Sequence, residues 1–332
     1  MAHMKYYYEL TISSSPHAHT ANTTRAIMGH VLIALTPALI GSVYFFGIRA
    51  LIVCLMSMAA CTVMEKLWCK LMKQNDKTYD LSALVTGLLL AFVCPPTIPY
   101  WQLLIGDAFA IIVVKMLFGG IGKNLFNPAL AARAFLFSWP VSMSTWVKVG
   151  WENQAGVFST VDVVTSATPM AAMHQYQMPA DSLLDMFLGN IGGCIGETSA
   201  ALLLVGFVYL LIAKVISPRI PLCYIGTVAV LTFLFPMGND RLMWMGAQVL
   251  GGGLMLGAIF MATDYVTSPI TRAGQIVYGI LCGVLTVVIR YFGGYNEGVS
   301  YAILIMNACV VLLDRIGRPK KFGAPGKEAK AQ

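Results

Sequence analysis

Residues 162–169 read Asp162-Val163-Val164-Thr165-Ser166-Ala167-Thr168-Pro169, a hydroxyl-rich run that ends in a threonine set before a proline. Thr168 there is a good helix N-cap, with Pro169 at the first helical position and Met170, Ala171, Ala172 and Met173 carrying the helix on. The same arrangement sets a hydroxyl beside free backbone N–H groups and the positive end of a helix dipole, a setting that suits a phosphate. Capping and phosphate chemistry are compatible at this position. A second group follows a glycine-rich turn: Asn124 and Asn127-Pro128 either start a helix or line a cofactor pocket, and Arg133 lies about one and a half turns further on. An arginine inside an apolar helix is costly unless paired, so a carboxylate or an anionic cofactor is expected beside it. Asp107, Glu197 and Asp264 lie in or at the ends of apolar runs, either as acidic groups of a cation path or as interfacial carboxylates and arginine partners. His17 and His19 suit a surface or subunit contact, and His30 a hydrogen-bonded core position. The eight cysteines lie scattered through apolar runs with no C-x-x-C, so no disulfide framework, zinc site or iron–sulfur motif is spelled out. They read as small buried hydrophobes.

The elements that must position these residues follow from composition. At 332 residues, 58% hydrophobic and 11% charged, with mean hydropathy +0.72, the chain is not a soluble globular protein, whose charged share is about 25%. Apolar windows fall at 26–46, 50–71, 81–94, 101–118, 127–141, 195–214, 220–236, 242–262, 274–292 and 298–313, which predicts ten membrane helices, five on each side of one long loop. No room is left for a catalytic domain of ordinary size, so chemistry must sit between helices or in that loop. The net charge of +7 could suggest nucleic acid, but the basic residues lie mostly in short loops and the C-terminal tail. With both termini on one side, seventeen Lys and Arg residues collect there, against Arg49, Lys148, Arg241 and Arg290 on the other, while Arg133 stays within a helix. The positive-inside rule then puts both termini in the cytoplasm and the loop outside, beyond the helical core. The polar N-terminus has no secretory signal pattern, so the first membrane helix is expected to drive insertion. The predicted layout is a cytoplasmic segment at 1–25, a five-helix unit at 26–141, the outer loop at 142–194, a second five-helix unit at 195–314 and a basic cytoplasmic tail at 315–332.

Two of the ten segments are too short or broken to be ordinary spans. Leu81 to Cys94 stops at Pro95-Pro96, and the eighth segment runs past Asp264 into Ser268-Pro269. An offset of 174 carries Val113, Val114, Phe118, Gly119 and Gly120 onto Val287, Val288, Phe292, Gly293 and Gly294, and also Pro95 onto Pro269 and Thr97 onto Thr271. This reads as an internal repeat. Five helices per half require the second copy to be inserted upside down, an inverted repeat with broken helices that meet around a ligand or ion.

The loop run Asp162-x-x-Thr165-Ser166-Ala167-Thr168 looks like the recognition motif of the flavin transferase that esterifies flavin mononucleotide to the last threonine. The whole chain resembles the family of the D subunit of Rnf complexes, shared with the B subunit of the sodium-pumping NADH:quinone oxidoreductase. The likeness runs from Ser15-Pro16-His17 through Ala83–Leu90, Phe118–Ala129 and Met261–Pro269 to Gly293–Ala302. Val163 departs from it, standing where the motif usually has a small residue. The resemblance implies a covalent FMN phosphoester at Thr168, with Asp162, Thr165, Ser166 and Ala167 forming the sequence read by the transferase. It also implies a second, non-covalent riboflavin near the broken helices, in a subunit that couples electron transfer from ferredoxin to NAD with Na⁺ or H⁺ movement. Its implied partners are the other Rnf subunits A, B, C, E and G, the flavin transferase during maturation, lipid of the bacterial cytoplasmic membrane, and ferredoxin and NAD through those subunits. No nucleic acid is implied. An ester keeps a flavin at high effective concentration beside its redox partners, where a free one would be lost to the medium. The rival readings are the flavin subunit of a quinone-reducing sodium pump and a five-plus-five channel or transporter with no redox role; a channel needs no flavin attachment signal.

Overall fold

The computed structural model describes residues 23–73, 78–147, 156, 168–294 and 297–317, and every regular element among them is a helix. Helices α1 (Thr24–Phe46) and α2 (Ile48–Leu71) turn about Gly47, whose φ of 80° suits a residue without a side chain. Then come α3 (Ser82–Phe92), α4 (Tyr100–Ala108), which continues as a π-helical stretch over Phe109–Met116, and α5 (Pro128–Leu136), with the single turn α6 (Pro140–Met143) behind it. Two short helices, α7 (Pro169–His174) and α8 (Leu183–Leu188), precede α9 (Ala200–Ile212), α10 (Arg219–Leu234) and α11 (Arg241–Leu250). The chain closes with α12 (Leu254–Leu256), its π-helical continuation Gly257–Met261, α13 (Arg272–Phe292) and α14 (Val299–Leu313).

Each of the ten apolar windows holds a helix, but among the described residues only α1, α2 and α13 are by themselves long and apolar enough to cross a membrane. The run from α11 through Met261 passes the same test only as a pair bent by 57°. The bend corrects the expected course of the eighth segment, which breaks at Gly251-Gly252-Gly253 and ends at Met261, ahead of Asp264, instead of running through to Ser268. Gly252 and Gly253 take φ of 64° and 65°, so three glycines in a row interrupt the helix where the proline was expected to.

Broken helices free carbonyls that an apolar surround cannot satisfy, and a buried arginine fills each break. Arg49, at the start of α2, donates from Nε to the Pro96 carbonyl (2.8 Å) and from Nη2 to that of Ile98 (3.1 Å). Arg290, near the end of α13, donates to the Gly251 and Gly252 carbonyls (both 3.2 Å) and to the Gln248 side chain (2.9 Å). Both were expected as charges of the outer side, and both are buried, as is Lys115, which was counted on the cytoplasmic side. Setting these three aside changes the split to sixteen against two and leaves its direction as it was. The threonines matched by the repeat offset do matching work: Thr97 Oγ donates to the Thr145 carbonyl (2.9 Å) and Thr271 Oγ to that of Ile316 (2.8 Å). The helices end before both Pro95 and Pro269.

The seams that hold the bundle are α1 on α9, α2 on α3 and α10 on α13. His30 of α1 lies 2.8 Å through Nδ1 from the Tyr209 hydroxyl of α9, the hydrogen-bonded position expected of it. Six of the eight cysteines are buried and all are free thiols, while Cys223 and Cys309 are half-buried. Gly87 sets the α2–α3 spacing, since a methyl group added there would stand 2.7 Å from the Ser57 carbonyl oxygen and 2.9 Å from the Met58 Cα. Backbone cannot step aside as a side chain can, so Gly87→Ala is expected to cost about 1–3 kcal/mol, read as a lower unfolding temperature of the solubilised protein.

Candidate functional site

Thr168 is the N-cap of α7: its hydroxyl oxygen accepts the Ala171 N–H at 3.2 Å, and Pro169 takes the first helical position, as the sequence predicts. Its surroundings differ from expectation. The segment was expected outside the helical core, yet Thr168 is only 7% exposed, and Met170, Met173, Met186 and Ile191 are buried in the same core as the long helices. The apolar side chains of this stretch account for the docking. Asp162, Thr165, Ser166 and Ala167 lie outside the described residues, as do His17 and His19.

A cavity of about 240 Å³ opens beside Thr168, lined also by Arg133, Phe137, Trp146, Glu297, Ser300 and Tyr301. A smaller one, of about 20 Å³, lies on its other flank against Glu197, Thr198, Gly251 and Gly252. Arg133, on the last turns of α5, meets the expectation of a carboxylate partner twice over. Its Nη1 donates to Glu197 (3.2 Å) and to the Ser300 hydroxyl (3.0 Å), and its Nη2 donates to Glu297. Nε is buried and has no partner among the described residues. The guanidinium carbon stands 5.8 Å from the centre of the Phe137 ring. Glu197 is thus an arginine partner, and Glu297 is a site residue that sequence reasoning missed. The one signal for Glu297 was the need of Arg133 for a partner, which names no position 164 residues away.

The two asparagines belong to a different cavity from Arg133, although all three sit at or near α5. Asn127 caps that helix, accepting the Ala129 N–H at 3.1 Å, and donates from Nδ2 to the Met261 carbonyl (3.2 Å), one of those freed where the second broken helix ends. Asn124 donates to the Phe126 carbonyl at 3.0 Å. Both line a cavity of about 90 Å³ with Ser82, Thr86, Lys115 and Asp264. Helix α5 therefore runs from this cavity at its N-terminus to the Thr168 cavity at its C-terminus, about 14 Å at 1.5 Å per residue. Asp264 accepts the Thr267 hydroxyl at 3.2 Å and faces this second cavity. Asp107 lies in neither cavity. It is fully buried between α2, α3 and α4.

Among known proteins the chain is similar along nearly its whole length to subunits of one kind. It is 44% identical to the D subunit of the Na⁺-translocating ferredoxin:NAD⁺ oxidoreductase complex of Acetobacterium woodii, over 97% of this chain and 98% of that one. Identity to the D subunit of the proton-translocating ferredoxin:NAD⁺ oxidoreductase complex of Clostridium ljungdahlii is 43%, over 94% and 96%. For the D subunit of the ion-translocating oxidoreductase complex of Stutzerimonas stutzeri it is 38%, over 90% and 91%. The model of the NQR2, RnfD, RnfE family matches residues 11–323. With that match and relatives of this identity over nine-tenths or more of both chains, the chain belongs to the NQR2, RnfD, RnfE family.

Proposed function

We propose that this chain is the membrane subunit of an ion-translocating ferredoxin:NAD⁺ oxidoreductase complex and carries FMN as a phosphoester on Thr168. It is not catalytic alone; ferredoxin and NAD⁺ would be met by partner subunits. The observation that carries the reading is a buried threonine hydroxyl sharing a cavity with an arginine whose Nε has no hydrogen-bond partner among the described residues. An anion is what that pairing suits. An ester oxygen keeps lone pairs, so Thr168 can go on capping α7 after modification. Arg133 Nε faces the phosphate in this reading, and Phe137, Trp146 and Tyr301 offer aromatic walls to the ring system. When bound, the flavin supplies the electron-transfer chemistry, and the chain supplies position and charge. Intact mass of the chain from its native host tests the assignment: the expected mass exceeds that of the bare chain by one FMN less a water, and an unmodified mass would overturn it.

The same reading takes the ten apolar helices as two inverted five-helix repeats in the bacterial cytoplasmic membrane, supported by the helix ends ahead of Pro95 and Pro269 and the matching Thr97 and Thr271 hydrogen bonds. Both termini are cytoplasmic in it, and Thr168 faces outward. Cysteines introduced at the exposed positions Gln175 and Lys70 are then expected to label oppositely with an impermeant thiol reagent, Gln175 from outside the cell and Lys70 only after lysis. Reversed labelling would turn the topology over. The cavity around Asn124, Asn127 and Asp264 is the place this reading gives to a non-covalent riboflavin and to the entry of the translocated cation. Asp264→Asn is expected to lower ion-coupled turnover several-fold while leaving the flavin on Thr168; loss of that flavin would point to misfolding instead.

A further inference from the structure

Asp107 has no role in either cavity, and its surroundings are unusual for a carboxylate. It lies near the middle of the helical run from Tyr100 to Met116 and is wholly inaccessible. The Ser57 hydroxyl of α2 stands 2.6 Å from its Oδ1 and 2.8 Å from the Gly87 carbonyl oxygen of α3, and has one proton to give. The Cys61 thiol is 3.3 Å from the same Oδ1. Oδ2 has no hydrogen-bond partner among the described residues. An ionised Asp107 would leave one charged oxygen bare in an apolar interior and would compete with Gly87 for a single proton. A neutral Asp107 resolves both problems. Its own O–H donates to Ser57 Oγ, Ser57 donates to the Gly87 carbonyl, and 2.6 Å is an ordinary length for such a bond.

A ladder of polar groups leads away from it. Ser57, Cys61 and Glu65 follow one another at four-residue steps on one buried face of α2. Glu65 is held at 3.0 Å by Lys115, which lies two turns beyond Asp107 on the same helical run and donates to Ser82 Oγ at 2.6 Å. Lys115 and Ser82 line the cavity shared by Asn124 and Asp264. Among the described residues, the titratable or charged groups that face Asp107 are Cys61 on α2 and Cys94 beyond α3, with the Glu65–Lys115 pair further along.

We infer that Asp107 is a proton-binding site in the middle of the bundle, loaded from that cavity along the Ser82–Lys115–Glu65–Cys61 seam. The site holds a proton and not a metal cation, because one carboxylate and one hydroxyl already bonded to a carbonyl fall short of the roughly six oxygen ligands that a hard cation takes. A proton taken from solvent at the cavity joins the Asp107 carboxylate and returns by the same route, so no other reactant is needed. The inference does not depend on a flavin at Thr168.

Infrared difference spectroscopy of the whole complex in membranes, wild type minus Asp107→Asn at neutral pH, tests it. The expected difference contains the carbonyl stretch of one protonated carboxylic acid, and a difference made of carboxylate stretches would overturn the inference. If the asparagine variant does not assemble, Ser57→Ala serves in its place. Loss of its acceptor should raise the frequency of the same acid band, and an unmoved band counts against the site. For the route, transfer to D₂O should shift the wild-type band at least several-fold faster than in Cys61→Val; equal rates would remove the seam as its path.

Discussion

Thr168→Val is expected to abolish the covalent flavin completely, whereas Thr165→Val leaves it in place. Valine keeps the shape of threonine and removes the only oxygen that can form the ester. What else it removes is one N-cap hydrogen bond to Ala171, worth about 1 kcal/mol, on a six-residue helix. The variant should therefore insert and assemble, and be dark as a band on a denaturing gel under ultraviolet light where the wild type fluoresces. Thr168→Ser should fluoresce, because it retains the nucleophile and the cap. A fluorescent Thr168→Val band would end the assignment. The burial of Thr168 adds a point of timing. An acceptor 7% exposed, capping a helix whose Met170 and Met173 are buried, offers little surface to a transferase, so attachment is expected before this segment docks into the core. Chain made without the transferase and supplied with it only after purification should accept flavin far more slowly than nascent chain does.

How much of this was legible in the sequence depended on the range over which the responsible forces act. Local signals held. Thr168-Pro169 and Asn127-Pro128 start helices because a side-chain acceptor and a preset φ act within three residues. The apolar windows hold helices because hydropathy is summed over one stretch. What escaped was decided by long-range pairing. Arg49 and Arg290 look like loop charges at helix ends, and only the folded chain sets them against the carbonyls of breaks 47 and 39 residues away in sequence. Gly251-Gly252-Gly253 is a visible run of helix breakers, but a hydropathy window averages across it. Asn124, Asn127 and Arg133 look like a single group because they are near in sequence. Nine residues of helix are enough to assign them to cavities at opposite ends of α5.

Arg133→Met is expected to be the most damaging single substitution in the chain. Arg133 is 2% exposed and holds two carboxylates that have no other cation in direct contact among the described residues. Removing the cation leaves Glu197 as an uncompensated buried charge and Glu297 as a half-buried one, and breaking a buried pair in this way costs about 3–5 kcal/mol. Arg133→Lys should recover only part of the loss, since one ammonium cannot reproduce a fork that reaches Glu197 and Ser300 through one nitrogen and Glu297 through another. The triple variant Arg133→Met, Glu197→Gln, Glu297→Gln removes all three charges together and should regain most of the stability, because desolvation opposes a buried ion cluster about as strongly as pairing favours it. That triple variant separates two roles that the single substitution confounds. If Arg133 serves only to neutralise the two glutamates, the folded triple variant will carry flavin with wild-type fluorescence anisotropy and resistance to quenchers. If its free Nε holds the phosphate, the same protein will be folded and flavinylated, yet its flavin will be mobile and open to quenching. Thermal unfolding of the solubilised complex reads the first effect and flavin anisotropy the second; a stable, fully flavinylated Arg133→Met single variant would remove this arginine from both roles.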